Sequence, residues 1–347
     1  MASRDRSPGG AVCISGAAAS KVSLMKRIGI LTSGGDAPGM NAAIRAAVRT
    51  ATSLGIESVG YIDGFEGLVT QRTMPLTDRA VGNRVQYGGT FLGTSRYPPF
   101  HDAEVRAGAV RQMAEDEVDG LVIIGGDGSF RGALALEAEH GVAVAGVPGT
   151  IDNDVYGTDH TIGFDTAVNT AVLAIDHLRD TGESTGMMFF VEVMGRTSGA
   201  IALHTAVAAG AAGVLVPEEH ADIAELIERL KASHSRGKRS HIIVVAEADA
   251  PGGAFALAKR VSDLLDHPYR VVVLGHIQRG GRPTARDRIV AAQSGALAVE
   301  TLAAGRSGMM IGMRGGRPVE VPLAEVVARG HPAPQYDLIR LAEKLSG

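Results

Sequence analysis

A single cysteine, Cys13, occurs in 347 residues, and tryptophan is absent altogether. A lone thiol excludes an internal disulfide framework, a CxxC metal site and a cysteine-ligated cluster. It fits a reducing compartment, so the chain is expected to be cytoplasmic rather than secreted. Aromatic residues make up 4% of the chain while apolar residues of every kind make up 45%. The core must therefore be assembled from Ala, Val, Leu, Ile and Gly. Charge of one sign is also missing, since 34 basic against 38 acidic residues leave −4, too even a balance for a protein that wraps a polyanion; no nucleic-acid partner is expected. Nor is there a long apolar run. The most apolar stretch, Ala206 to Val216, has 11 residues against the roughly 20 that a spanning helix needs, and no membrane partner is expected.

What is present is length and glycine. At roughly 100 to 200 residues per domain there is room for two domains with cores of their own. The 46 glycines fall singly and in pairs at the ends of apolar runs, the positions of turns and of close approach to a ligand. Residues 1–24, with Arg4 and Arg6 ahead of a small-residue run, imitate a secretory signal weakly. They read as a disordered tail or an over-extended start ahead of Met25, and are excluded from the fold.

From Lys26 onward, short continuous apolar runs alternate with amphipathic stretches. RIGILT, IESVGYI, DGLVIIGG, VAVAGVPG, FFVEVMG, AAGVLVPE, HIIVVAEA and RVVVLGH are the runs. Unbroken runs of this length fit strands covered on both faces, as in a parallel sheet flanked by helices. Between them, Ile223, Leu226, Ile227 and Leu230 mark one face of a helix over Asp222 to Lys231. The alternation predicts an α/β chain of doubly wound, mainly parallel sheets, two domains facing each other across a cleft, with ligands at the carboxyl edges of the strands.

Four segments carry chemistry. GILTSGGDAPGM (Gly29 to Met40) runs from a strand through Gly34, Gly35 and Asp36 toward a helix, where backbone amides can hold an anion. An ordinary strand-to-helix turn would explain one such glycine pair equally well, but LVIIGGDGSFRG (Leu121 to Gly132) repeats the pattern. Two copies favour a nucleotide phosphate. Asp127 inside the second loop would repel a bare pyrophosphate and makes sense with a bridging magnesium ion. No GxxxxGK[ST] occurs, which excludes a P-loop enzyme. PGTIDND (Pro148 to Asp154) places Thr150, Asp152 and Asp154 on one loop, as phosphoryl transfer requires of a proton acceptor beside a metal-bound phosphate. An Asx-rich turn explains these residue types but not their place after a second phosphate-type loop. The cations Arg96, Arg196, Arg270, His276, Arg279 and Arg282 suit a phosphorylated small substrate, because a guanidinium matches phosphate oxygens in pairs.

Taken in order, GGDAPGMNAAIR, GGTFLGTSR, IGGDGS, PGTIDND, VEVMGR and LGHIQRGG resemble the bacterial 6-phosphofructokinase family from Met25 to the C-terminus. The resemblance implies transfer of the ATP γ-phosphoryl group to the 1-hydroxyl of fructose 6-phosphate, in glycolysis. It implies magnesium and a homotetramer whose sites are shared between subunits. Gly35, Arg96, Tyr97, Gly126, Asp127, Gly128 and Ser129 match the ATP site, with Asp127 as the metal ligand. Asp152 matches the proton acceptor, and Thr150 and Arg196 stand with it as catalytic residues. Thr150, Asp152, Asp154, Met194, Gly195, Arg196, Glu247, Arg270, His276 and Arg279 match the sugar-phosphate pocket, Arg270 being of the kind that reaches in from a partner. An effector site is matched by Arg45, Arg49, Arg179 and Lys238, which a solvated helix face would explain as well. Residues 25–163 with about 277–328 would form the ATP and magnesium domain, and about 164–276 with 329–347 the sugar-phosphate domain.

Glycine at 128 and 149, where pyrophosphate-using relatives typically carry Asp and Lys, favours ATP over pyrophosphate as donor. Two departures stand out. Ala212 occupies the acidic metal position of the effector site, so allosteric control is expected to be altered or absent. Met187 occupies the place of an arginine that grips the substrate phosphate across the subunit interface, which leaves open another sugar phosphate or a regulatory subunit of weak activity. Against the latter, Asp127, Asp152, Arg96 and Arg196 are all retained. Losing one charge-assisted phosphate contact costs about 1.5 to 3 kcal/mol, or roughly 10- to 150-fold in affinity. Half-saturation by fructose 6-phosphate is thus expected to fall by about that factor in Met187→Arg; equal half-saturation of the two proteins would show that the methionine is not the defect.

Overall fold

The apolar runs become the strands of two separate sheets. The computed structural model describes residues 25–219, 223–247, 253–265 and 267–346, so the tail 1–24 lies outside it. The strands are β1 (Arg27–Ser33), β2 (Glu57–Tyr61), β3 (Thr73–Pro75), β4 (Gly120–Gly125), β5 (Ala143–Thr150), β6 (Ile162–Gly163), β7 (Met188–Val193), β8 (Gly213–Leu215), β9 (His241–Ala246), β10 (Tyr269–Val273), β11 (Met309–Arg314) and β12 (Arg317–Pro322). The helices are α1 (Met40–Ser53), α2 (Phe65–Val69), α3 (Ala103–Glu115), α4 (Asp127–His140), α5 (Phe164–Thr185), α6 (Ala200–Ala208), α7 (Ile223–Ser235), α8 (Gly253–Leu265), α9 (Ala285–Ala303), α10 (Leu323–Arg329) and α11 (Tyr336–Leu345).

The larger sheet runs β12-β11-β5-β4-β1-β2-β3, with β6 paired to β5, and the smaller runs β10-β7-β9-β8. All pairings in the small sheet are parallel. In the large sheet only the rims, β2 with β3 and β11 with β12, are antiparallel. The eight apolar runs all form strands, the run AAGVLVPE only over its middle. β3, β6, β11 and β12 were not among them: β3 and β6 are two or three residues long, and β12 has just one buried position. Helix α7 buries Leu226, Ile227 and Leu230 as the periodicity requires.

Helices α1 and α9 pack side by side, and a Cβ on Gly295 would lie 2.4 Å from the Ala43 carbonyl oxygen. The missing side chain is what allows two backbones to meet there. With Ala42, Ala43, Ala47, Ala51, Ala291 and Ala298 around it, this contact is built from small residues, which is how a chain poor in aromatics fills its core.

The chain passes between the sheets at α5, at the turn Gly275–Arg279 and after α10, where α11 packs on α6. The first passage is pinned by a buried carboxylate. Asp287 of α9, 2% exposed, accepts hydrogen bonds from the Gly163 amide at 3.0 Å, the Thr166 amide at 2.8 Å and the Thr166 hydroxyl at 2.5 Å. It therefore caps the amino end of α5 from another element, in place of the absent side-chain cap at Gly163. Burial raises its pKa, and the three donors oppose that rise. Replacing Asp287 by Ala leaves those donors without an acceptor and is expected to destabilise the fold by about 2 to 4 kcal/mol in denaturant unfolding; a loss under about 1 kcal/mol would show that water replaces the carboxylate.

Candidate active site

The carboxyl edges of the two sheets look into one cleft of about 840 Å³, within the size range of small-molecule sites. Gly34, Gly35, Arg96, Tyr97, Gly126, Asp127, Gly128, Ser129, Thr150, Asp152 and Asp154 line it from the large sheet, and Arg196 and Thr197 from the small one. Arg279, on the turn that joins the two, lies between them.

The two glycine loops differ in construction. After β4 the chain turns at Gly126 straight into α4, so Asp127, Gly128 and Ser129 form the first turn of a helix at the positive end of its dipole; the Ser129 amide donates to the Gly126 carbonyl at 3.0 Å, which leaves the Asp127 and Gly128 amides to face the loop. The Ser129 hydroxyl ties the loop to β1 by donating to the Ser33 carbonyl at 3.0 Å. After β1, however, Gly34 to Gly39 intervene before α1 begins at Met40. The first loop is therefore no helix-terminus anion site, contrary to the expectation from its glycines. Its Gly35 serves another end: a Cβ there would stand 2.5 Å from Arg279 Nη1. The guanidinium occupies that space and donates to the Asp36 carbonyl at 3.1 Å.

Asp127 accepts from Arg131 Nε at 2.9 Å through Oδ2, while its Oδ1 is buried without a partner. A buried oxygen with no donor in a phosphate-type loop fits a magnesium ion. Among the described residues no three His, Cys, Asp or Glu side chains gather as a metal cage, which suits a cation held by one carboxylate together with substrate phosphates.

The loop after β5 carries the other carboxylates. Asp152 is 3% exposed and its Oδ1 has no partner. Burial pushes its pKa up to about 6, Asp154 and Glu247 adding to the rise, Arg279 and Arg196 opposing it. Burial likewise raises Asp154, against His331 and Arg196. Between them Asn153 sits at φ 49°, a left-handed conformation that asparagine tolerates better than most residues. Its side chain holds the turn by accepting from the Thr161 amide at 2.8 Å and donating to the Asp159 carbonyl at 3.3 Å. Thr150 Oγ1 accepts from the Asp152 amide at 3.2 Å.

Across the cleft, Arg196 is also left-handed, at φ 56°, directly after Gly195 at φ 149°. Its amide donates to Glu247 Oε1 at 2.7 Å, and the Met194 amide donates to Gln278 Oε1 at 2.9 Å. Glu247 and Gln278 thus hold a strained arginine backbone in place. Asn153, Gln278 and His331 were not singled out in the sequence; an asparagine between two aspartates was the one available signal.

Arg270 and His276 do not line this cleft. Arg270 lies exposed on β10, an edge strand paired only with β7, and His276 is exposed on the following turn. Arg282 is exposed as well, and Met187 lies half-buried against the core. Of the effector candidates, Arg45 and Arg49 stand on α1, while Arg179 and Lys238 meet beside the small sheet, burial and Arg179 lowering the Lys238 pKa. Arg179 donates to the Ala209 and Gly210 carbonyls at the end of α6.

Known proteins resemble this chain in sequence and in fold. The family model described as Phosphofructokinase matches residues 27–302. "ATP-dependent 6-phosphofructokinase 1" of Thermus thermophilus is 55% identical over 305 residues, 88% of this chain and 95% of that protein. "ATP-dependent 6-phosphofructokinase" of Streptococcus equi subsp. zooepidemicus is 52% identical over 301 residues, 86% of this chain and 88% of that protein. The solved phosphofructokinase of Saccharomyces cerevisiae is 32% identical with a TM-score of 0.82, covering 92% of this chain and 47% of the yeast chain. A pyrophosphate-dependent phosphofructokinase from Marinobacter aquaeolei, 22% identical with a TM-score of 0.81 over 92% of this chain and 91% of its own, shares the fold. With its family model matched across both sheets and relatives identical at half or more of their positions, the chain belongs to the phosphofructokinase family.

Proposed function

We propose that the chain is an ATP-dependent 6-phosphofructokinase, which transfers the γ-phosphoryl group of ATP to the 1-hydroxyl of fructose 6-phosphate. The observation that carries this reading is Asp152: a buried carboxylate with an unpartnered oxygen, facing a helix-terminus phosphate loop within one cleft. The names of the relatives favour ATP and fructose 6-phosphate.

In the reaction, Asp152 accepts the proton as the sugar oxygen attacks the γ-phosphorus, the bond to the β,γ-bridging oxygen breaks, and ADP leaves with that electron pair. A base poised near pH 6 suits this task at neutral pH, being ionised yet still basic. The amides of Gly126 to Gly128 receive the nucleotide phosphates, and Arg96 and Arg196 neutralise charge on the transferred oxygens. Thr150 and Asn153 orient the base. Asp127 would hold magnesium, which when bound neutralises phosphate charge.

The sugar phosphate would lie against Asp152, Asp154, Met194, Gly195, Arg196, Glu247, His276 and Arg279, with Arg270 acting from a neighbouring subunit of a homotetramer. The exposure of Arg270 on a free strand edge supports that assignment. We assign residues 25–163 with about 277–328 to the ATP domain and about 164–276 with 329–347 to the sugar-phosphate domain, in keeping with which strands join which sheet. No helix among the described residues is long and apolar enough to cross a membrane, and we place the enzyme in the cytoplasm. Arg45, Arg49, Arg179 and Lys238 remain our assignment for an effector pocket.

The donor can be tested sterically. A Cβ on Gly128 meets nothing within 4 Å, whereas one on Gly149 would stand 3.0 Å from Ile124 Cγ2 and 3.1 Å from Met40 Cε. Gly128→Asp is therefore expected to fold normally yet lose ATP turnover by about 100-fold or more, by placing negative charge at the polyphosphate. Retained ATP turnover in that variant would remove the assignment of this loop to the nucleotide.

Asp152 gives a paired test. Because its pKa is raised from 3.8 to about 6, the folded state binds the proton more tightly than the unfolded chain does. Stability falls as pH rises from about 4 to 6, and the ionised group costs about 3 kcal/mol above that window. Asp152→Asn should lose about 10²- to 10⁴-fold in kcat, unfold at higher temperature than the native protein at pH 8, and lose that advantage at pH 4. The native kcat/KM should decline as pH falls through about 6. Near-native turnover in Asp152→Asn would exclude it as the base.

A further inference from the structure

A segment outside both phosphate loops reaches the reacting carboxylates. After α10 the chain turns at Gly330 and lays His331 along the rim of the cleft. Its Nδ1 lies 3.2 Å from the Asp154 carbonyl oxygen and 3.9 Å from Asp154 Oδ2. A carbonyl only accepts, so Nδ1 carries a hydrogen. The segment is clasped to the same loop at further points. The Tyr156 amide donates to the Gly330 carbonyl at 3.1 Å, the Tyr156 hydroxyl bonds Glu325 Oε1 at 3.1 Å, and the Arg329 guanidinium lies 5.9 Å from the Tyr156 ring centre.

We propose that His331 is a positioning residue for phosphoryl transfer, fixing the Asp152–Asp154 loop through the Asp154 carbonyl and holding Asp154 as a carboxylate beside the base. This rests on the kinase reading above.

The charge pattern leaves that part open. Asp154 is 14% exposed at its side chain; the like charge of Asp127 bears on it from a distance, and His331 and Arg196 oppose that charge. Arg196 is shared with Asp152, where Arg279 also acts and Glu247 opposes. His331 is the foremost of the charges that oppose the rise at Asp154. If Asp154 took up a proton, the field at Asp152 would change with it, and the pair would titrate together.

The test compares His331→Ala, His331→Gln and His331→Lys in the full-length protein with magnesium, ATP and fructose 6-phosphate. His331→Ala is expected to lower kcat about tenfold with KM for ATP changed less than threefold, and to move the acid limb of kcat up by about half a pH unit to one unit. His331→Lys restores the acid limb, and His331→Gln, which keeps a donor but no charge, restores kcat at pH 8 alone. An unmoved acid limb in His331→Ala, with kcat within twofold of native, overturns the proposal.

A readout free of turnover separates this from failure of the kinase reading. The carboxyl ¹³C resonance of Asp154, identified by its loss in Asp154→Asn, should titrate at higher pH in His331→Ala than in the native protein. A native protein that turns over no sugar phosphate, yet shows that difference, would refute the activity while keeping the contact. An unchanged Asp154 titration refutes the proposal by itself.

Discussion

Asp152 and Asp154 are kept out of water on one loop, and the surrounding structure is arranged around that cost. Neither carboxylate has an ion pair at direct contact distance; Asp154 has His331 at 3.9 Å and Asp152 only the more distant fields of Arg196 and Arg279. A base in such a place is stronger than one in water, because solvation no longer stabilises its anion. The same burial makes the loop unstable on its own. It is held by Asn153 in a left-handed turn, by the Thr150 hydroxyl, and by Thr161, whose hydroxyl donates to the Thr150 carbonyl at 2.6 Å.

Its opposite wall repeats the same principle. Arg196 adopts a backbone conformation that costs of order 1 to 3 kcal/mol, and Glu247 of the neighbouring strand end supplies the acceptor that keeps it there. Strain on one side and desolvation on the other face each other across the cleft. Both are sustained by sheets whose central strands are almost wholly buried. The junction at Asp287 links the sheets' fates, since the helix it caps carries the chain from one sheet to the other.

Much of this could be read in the chain. Most of the continuous apolar runs became interior strands, because a strand covered on both faces has no polar side to alternate, while RVVVLGH and AAGVLVPE became the two edges of the small sheet. The Gly-Gly-Asp segments became the two loops of the cleft, yet only the second leads directly into a helix. The two could not be told apart by residue type, because both read Gly-Gly-Asp between an apolar run and a helix. The antiparallel rim strands were harder still. Residues Arg317–Pro322 bury a single position, Val321, so little apolar pattern marks them. Glu247 and Gln278 illustrate a different limit: each acts on a backbone amide of the Met194–Arg196 turn, and no periodicity announces such a contact.

Local pattern by itself determined the two phosphate-type loops and the carboxylate pair, because each lies within a dozen positions, and the order of such segments along the chain determined the α/β class and the family resemblance. Tertiary structure alone decided which charges meet. Asp154 and His331 are 177 residues apart, Arg196 and Glu247 are 51 apart, and Arg279 reaches the Asp36 carbonyl over 243. Those distances close only when two sheets fold and the chain returns across them. The field at Asp152, and with it the strength of the base, is therefore a property of the assembled cleft rather than of the segment that carries it.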